Sequence, residues 1–160
     1  MKSLSPSAQK FQDILQGFGS NFTVIEFSES THTAQEAADR VNCQLGQIVK
    51  SLVFRGKISG KGILVLTSGL NRVDEVKIGL YVGEAIGRAD ADFVRSVTGY
   101  SIGGVPPVGQ PQPIETYVDE DLMQYTLVWA AAGTPKAVFE LSPSDLVNIT
   151  HGNIVDVKPG

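Results

Sequence analysis

The chain has 160 residues, 42% of them hydrophobic, a formal net charge of −4 and one cysteine. That length and apolar content suit one domain, residues 1–160, with an adequate core. Cys43 alone excludes an internal disulfide, no Cys/His spacing resembles a zinc site, and the acidic balance argues against bulk nucleic-acid binding. The N-terminus through Gln12 is polar and lacks a signal-peptide core, and no apolar run approaches the roughly 20 residues of a membrane helix. A soluble cytoplasmic protein without metal or cofactor is therefore expected.

Ser5-Pro6 is a helix start, an N-cap followed by proline at the first helical position. Ala8, Phe11, Ile14, Leu15 and Phe18 then recur on one face, and Gly17 and Gly19 mark the exit. A strand comes next over 22–27. Thr33 and Glu36 form a capping box for a short helix whose slim face is Ala34, Ala37, Ala38 and Val41. The apolar runs 48–55 and 62–67, joined by a Gly- and Lys-bearing loop, read as a hairpin. Asn71 or Asp74 caps a helix through Leu80 that ends at Gly83. Asp90 caps another, with Gly99 suited to its left-handed C-terminus. Strands are expected at 114–118 and 127–131 around a short acidic helix at 119–124. A further strand at 137–141, a Ser142-Pro143 helix and a last strand at 153–157 complete the chain. Helices and strands alternate without regular βαβ units, which predicts a mixed α/β or α+β domain.

The run Gly99-Tyr100-Ser101-Ile102-Gly103-Gly104-Val105-Pro106-Pro107-Val108-Gly109 stands apart. Paired glycines weaken a strand and mark either a bulge or a close approach to the backbone. The double proline stiffens the next turn of the loop and removes two N–H donors. The segment is thus either a bulged strand ending in a structural loop or a ligand platform flanked by Tyr100. Charge is also uneven along the chain. No acid occurs between Asp39 and Asp74, where Arg40, Lys50, Arg55, Lys57, Lys61 and Arg72 fall. Such a segment forms either a phosphate-attracting face or a solvated hairpin.

Strand alternation places Lys50 with Leu52 and Phe54 on one face and Val49, Ser51 and Val53 on the other. A lysine so placed either snorkels to solvent or presents its charge inside a cleft. Cys43 has no evident base nearby and suits a small core or loop thiol. His32, in a loop before a capped helix, either lines a pocket or sits on the surface, and His151 suits a helix terminus. Asp119 either caps its short helix or belongs to a site. No Walker-type phosphate loop is present.

Taken together, Ile48-Val49-Lys50-Ser51-Leu52-Val53-Phe54, the Gly99–Gly109 run, Tyr117-Val118-Asp119 and Ala132-Gly133 resemble the YbaK/ProX family of aminoacyl-tRNA deacylases, related to the editing insertion of bacterial prolyl-tRNA synthetases. The resemblance implies a compact domain on a mixed, curved, barrel-like sheet flanked by helices. It also implies hydrolysis, without cofactor, of the ester joining a wrong small amino acid to tRNA, such as Cys or Ala on tRNA-Pro. The partners implied are the tRNA acceptor end and a synthetase; a binding module without catalysis is the alternative. Lys50 matches the family's essential lysine, and Gly103 and Gly104 match pocket glycines whose N–H groups would polarise the ester carbonyl. Tyr100, Pro106, Asp119, Ala132, Gly133 and His32 are the further substrate-binding candidates. Ala132 stands where the family often has glycine, so its methyl is expected to narrow the pocket.

Overall fold

The computed structural model describes residues 3–19 and 21–160. Helix α1 (Pro6–Gln16) begins as expected, its Ser5 hydroxyl accepting from the Ala8 N–H. Strand β1 (Val24–Glu26) precedes α2 (Ala34–Val41), capped by Thr33. A 3-10 turn, Leu45–Gln47, leads into the hairpin of β2 (Val49–Gly56) and β3 (Gly62–Ser68). Asp74, and not Asn71, caps α3 (Glu75–Val82), and β4 (Ile86–Arg88) comes after it. Next are α4 (Ala91–Thr98), β5 (Glu115–Asp119), a 3-10 turn at Glu120–Gln124 and β6 (Val128–Ala131). The chain closes with β7 (Ala137–Leu141), α5 (Pro143–Thr150) and β8 (Asn153–Val155).

The strands form two sheets, one of order β1-β7-β6 and one of order β4-β2-β3-β5-β8. The larger sheet is mixed: β2 is antiparallel to β3 and β4, whereas β3, β5 and β8 are parallel. An isolated parallel bridge between Ile48 and Trp129 joins the sheets. The α/β expectation therefore holds, but a barrel does not close. The reason lies along β2, whose outer edge pairs with β4 only over Phe54–Gly56 and is bridged to β6 only through Ile48, the residue before the strand. Residues 50–53 have strand partners in β3 alone.

Both faces of the larger sheet are buried, so β3 reads as a continuous apolar run instead of an alternating one. Leu64 and Leu66 face the main core, where Phe11 and Leu15 of α1 meet Phe139, Val118 and Leu146. Ile63 and Val65 face a second cluster with Phe54, Ile78 of α3 and Tyr117. A third, smaller cluster seats the alanine face of α2 (Ala37, Ala38) on Ile48 and Trp129. Small side chains there let the helix lie close to the junction of the two sheets. Burying a side chain such as Phe139 contributes roughly 1.5–3 kcal/mol.

The Gly99–Gly109 run carries no strand; it passes through turns and bends between α4 and β5. Gly99 ends α4 at φ 81°, as its left-handed position required. No helix among the described residues is long and apolar enough to cross a membrane.

Candidate active site

The open stretch of the β2 edge is the floor of a cavity of about 280 Å³. Lys50, Ser51 and Leu52 line it from β2, Trp129, Ala130 and Ala131 from β6, and Ile102 and Gly103 from the glycine-rich loop. Thr31, His32 and Thr33, just before α2, close another side. The volume lies just below the range of ligand pockets, about 300–1,000 Å³, and so admits a small group. Its described lining residues include two titratable side chains, His32 and Lys50, and no carboxylate or thiol.

Lys50 is half-buried, and its position results from strand register. It lies opposite Thr67 of β3, which in turn neighbours Asp119 at the end of β5. These three side chains share one sheet face at the end where β2 begins and β3 and β5 stop. The Lys50 Nζ donates to the Asn71 carbonyl at 2.7 Å. An ammonium has three N–H donors, so two remain for a substrate. Burial lowers the Lys50 pKa from the ordinary lysine value, and the Asp119 carboxylate opposes the shift. The ammonium is therefore poorly solvated and ready to pair with an anion.

Asp119 organises the loop that receives Lys50. Its Oδ2 accepts from the Thr67 hydroxyl at 3.1 Å, the Ser68 N–H at 2.9 Å and the Asn71 Nδ2 at 2.8 Å. Its Oδ1 accepts from the Asp121 N–H at 2.9 Å, which is the expected capping bond. Asp119 is 1% exposed and lies outside the cavity lining. It reaches the site through Asn71, whose side chain it holds and whose carbonyl holds Lys50. Nothing in the sequence marks Asn71 for this part, because a backbone carbonyl acceptor leaves no trace in residue type.

The other candidates divide. Lys50, Gly103 and His32 line the cavity; Tyr100, Gly104, Pro106, Ala132 and Gly133 do not. Gly104 is buried, and a Cβ there would come within 2.9 Å of the Thr134 backbone. Its N–H donates to the Ser101 carbonyl at 3.0 Å, so it is engaged in a turn and is not a free donor to an ester carbonyl. Glycine at 104 thus serves the approach of the β6–β7 turn. The Gly103 N–H has no acceptor among the described residues. Tyr100 packs edge-on against Phe11 with centroids 6.4 Å apart, and its hydroxyl donates to the Gly109 carbonyl at 3.4 Å. Gly133, at φ 92°, leaves room for Phe11 and Tyr100, since a Cβ would meet them at 3.2 and 3.3 Å. Ala132 is fully buried in the main core, so its methyl does not narrow the cavity; the neighbouring Ala130 and Ala131 form that wall. Pro106 is buried, and its carbonyl accepts from Gln110 Nε2.

Lys50 is thus a strand lysine fixed by a carboxylate-pinned loop, beside a small cavity walled by a glycine-rich turn. Residues 28–149 fit the aminoacyl-tRNA editing domain. The chain belongs to that family. The editing domain is 32% identical over 135 residues to the uncharacterised Bacillus subtilis protein YwhH, covering 84% of this chain and 85% of that one. It is 26% identical over 132 residues to Enterococcus faecalis EbsC, provisionally named a Cys-tRNA(Pro)/Cys-tRNA(Cys) deacylase, covering 82% and 80% of the two chains. A crystal structure described provisionally as a trans-editing enzyme for prolyl tRNA synthetase superposes with a TM-score of 0.93 at 47% identity, covering 99% of this chain and all of that one. The Bacillus licheniformis proline–tRNA ligase matches over 136 residues at 30% identity, which is 82% of this chain and 23% of the ligase.

The basic segment of the editing domain is partly neutralised. Arg40 lies 3.9 Å from Glu29, and Lys61 lies 2.9 Å from Glu115. Arg55 sits over the Phe93 ring at 4.9 Å. Arg72 and Arg88 have no ion pair among the described residues, and both flank a groove that shares Leu52 and Ile102 with the cavity.

Proposed function

We propose that this chain is a trans-editing hydrolase that cleaves the ester of mischarged tRNA, with a small amino acid such as cysteine or alanine on tRNA-Pro as the first candidates. The observation that carries this reading is the half-buried Lys50 ammonium, with two free donors, at the edge of a cavity that fits a small aminoacyl group and lacks a side-chain carboxylate or thiol. An aminoacyl ester is already activated, so positioning and support of the developing oxyanion supply most of what hydrolysis needs. Lys50 holds the terminal adenosine through a phosphate or ribose oxygen. The unengaged Gly103 N–H supports the carbonyl oxygen of the ester as charge develops there. Water adds to the carbonyl carbon, the bond to the ribose oxygen breaks, and the water's proton passes to that oxygen. Free amino acid and uncharged tRNA leave. The cytoplasm, where charged tRNA is used, is the natural setting.

The test is a deacylation screen over mischarged tRNAs with Lys50→Ala as control. The reading requires at least one substrate whose hydrolysis Lys50→Ala slows by about 100-fold or more, the usual effect of deleting a positioned charge or oxyanion donor. Equal rates above spontaneous hydrolysis would overturn the role of Lys50, and rates at the spontaneous level for both proteins on every substrate would leave a binding module instead.

A further inference from the structure

The cavity holds one polar group that ester hydrolysis by Lys50 and Gly103 does not use. Ser51 Oγ is buried and, among the described residues, is the one buried side-chain nitrogen or oxygen without a hydrogen-bond partner. The other hydroxyls of the lining are engaged. Thr31 donates to the Pro135 carbonyl at 3.3 Å, Thr33 accepts from the Glu36 N–H at 3.1 Å, and Thr134 accepts from the Lys136 N–H at 3.0 Å. A buried hydroxyl with no partner is destabilising, so its presence in a binding cavity calls for a ligand that completes it.

Strand alternation shows which part of a ligand that would be. Ser51 shares its face of β2 with Val49, opposite to Lys50, and looks toward the main core. Val49, Val105, Ala130 and Ala137 belong to that core and also line the cavity, so the wall around Ser51 is apolar. The polar parts of an aminoacyl-adenosine (phosphate, ribose and ester) are met at the Lys50 and Gly103 side. That leaves the α-amino group and the side chain of the amino acid, and of these two the side chain suits the apolar wall. A methyl there would leave Ser51 unpaired, whereas a hydroxyl on Cβ would both donate to it and accept from it.

We infer that Ser51 is a specificity-determining residue that favours aminoacyl side chains bearing a hydroxyl, serine above alanine. This rests on the proposed hydrolysis and adds the side-chain chemistry that the cavity selects. A site built to hydrogen-bond a substrate hydroxyl discriminates against the analogue lacking it, because its own polar group is then left unpaired.

The experiment compares seryl- and alanyl-tRNA on one tRNA body with the native chain and Ser51→Ala. The native chain should prefer the seryl ester in kcat/KM by about tenfold, the scale of one net hydrogen bond. Ser51→Ala should bring the ratio close to one, mainly through the seryl rate, and its unfolding midpoint should not fall, since it removes an unpaired buried hydroxyl. A ratio that survives Ser51→Ala, or a native ratio at or below one, overturns the assignment. So does an equal drop for both esters, which would mean that Ser51 acts on the ester or the attacking water. If the native chain hydrolyses neither ester, the hydrolase reading is decided separately, by the screen over other mischarged tRNAs. Titration with non-hydrolysable seryl- and alanyl-amide analogues of adenosine then decides on Ser51, with about tenfold tighter seryl binding supporting it and equal binding refuting it.

Discussion

Lys50 holds its charge in a place that disfavours charge, and Asp119 makes that possible from a distance. Because burial lowers the lysine pKa below its ordinary 10.5, the unfolded chain binds that proton more readily than the folded one. The stability deficit is thus fully present below the folded pKa and is relieved as pH rises through it toward 10.5. Activity runs the other way if the ammonium is the working form. The Lys50-dependent rate, taken as native minus Lys50→Ala to remove spontaneous ester hydrolysis, should fall on an alkaline limb centred below 10.5. Lys50→Arg should shift that limb upward or abolish it, because guanidinium stays charged. Asp119→Asn should act on both stability and rate. It puts an amide among the Thr67, Ser68 and Asn71 donors, and losing bonds to a buried carboxylate costs about 1.5–3 kcal/mol each. A lowered denaturant midpoint together with a reduced deacylation rate is the expected result; an unchanged rate would show that Lys50 does not depend on the Asn71 carbonyl. The strand pattern left Lys50 either snorkelling or in a cleft, and the family resemblance made it a site candidate. Asn71 and Ser51 were not legible, because their roles rest on a carbonyl's direction and on a missing partner.

At the scale of elements, helix caps were the most readable features. Ser5, Thr33, Asp74, Asp90 and Ser142 each accept from a first-turn N–H, and Gly83 and Gly99 take the left-handed terminus. These signals are local, so sequence neighbours suffice to read them. Strand β4 gave no such signal: it has three residues, one of them Gly87, and exists because Phe54–Gly56 offers it an edge. The glycine-rich run was recognisable as special but not as to cause. Gly104 is glycine because Thr134 of the β6–β7 turn lies against it, and the two are far apart in the chain. Gly104→Ala should therefore destabilise the fold by about 1–3 kcal/mol, as overpacking does. Thermal unfolding measures this, and a midpoint equal to the native one would mean that the turn yields freely. Displacement of Thr134, a cavity-lining residue, should also lower the deacylation rate.

For the whole molecule, two sheets that meet at a single bridge leave the β2 edge open, and that opening is the cavity. Arg72 and Arg88, without ion pairs among the described residues, border the adjoining groove together with Glu75, and under the proposed function this groove is the candidate path for the rest of a tRNA acceptor end. Replacing both with alanine should weaken tRNA binding and reduce the slope of log K against log salt by about one for each phosphate no longer neutralised. Hydrolysis of a minimal aminoacyl-adenosine should change little. An unchanged salt slope would move the tRNA path elsewhere. The sequence by itself determined the helices and their caps, the central hairpin and the mixed α/β class, since these rest on spacing and residue type, while its resemblance to a family singled out Lys50 and the glycine-rich run. Only the tertiary structure decided which glycine faces the cavity and which faces a neighbouring turn, why the sheets stay open, and how Asp119 reaches Lys50 through Asn71. Those depend on strand register and on contacts between distant segments, and a one-residue change of register would exchange the faces that Lys50 and Ser51 occupy.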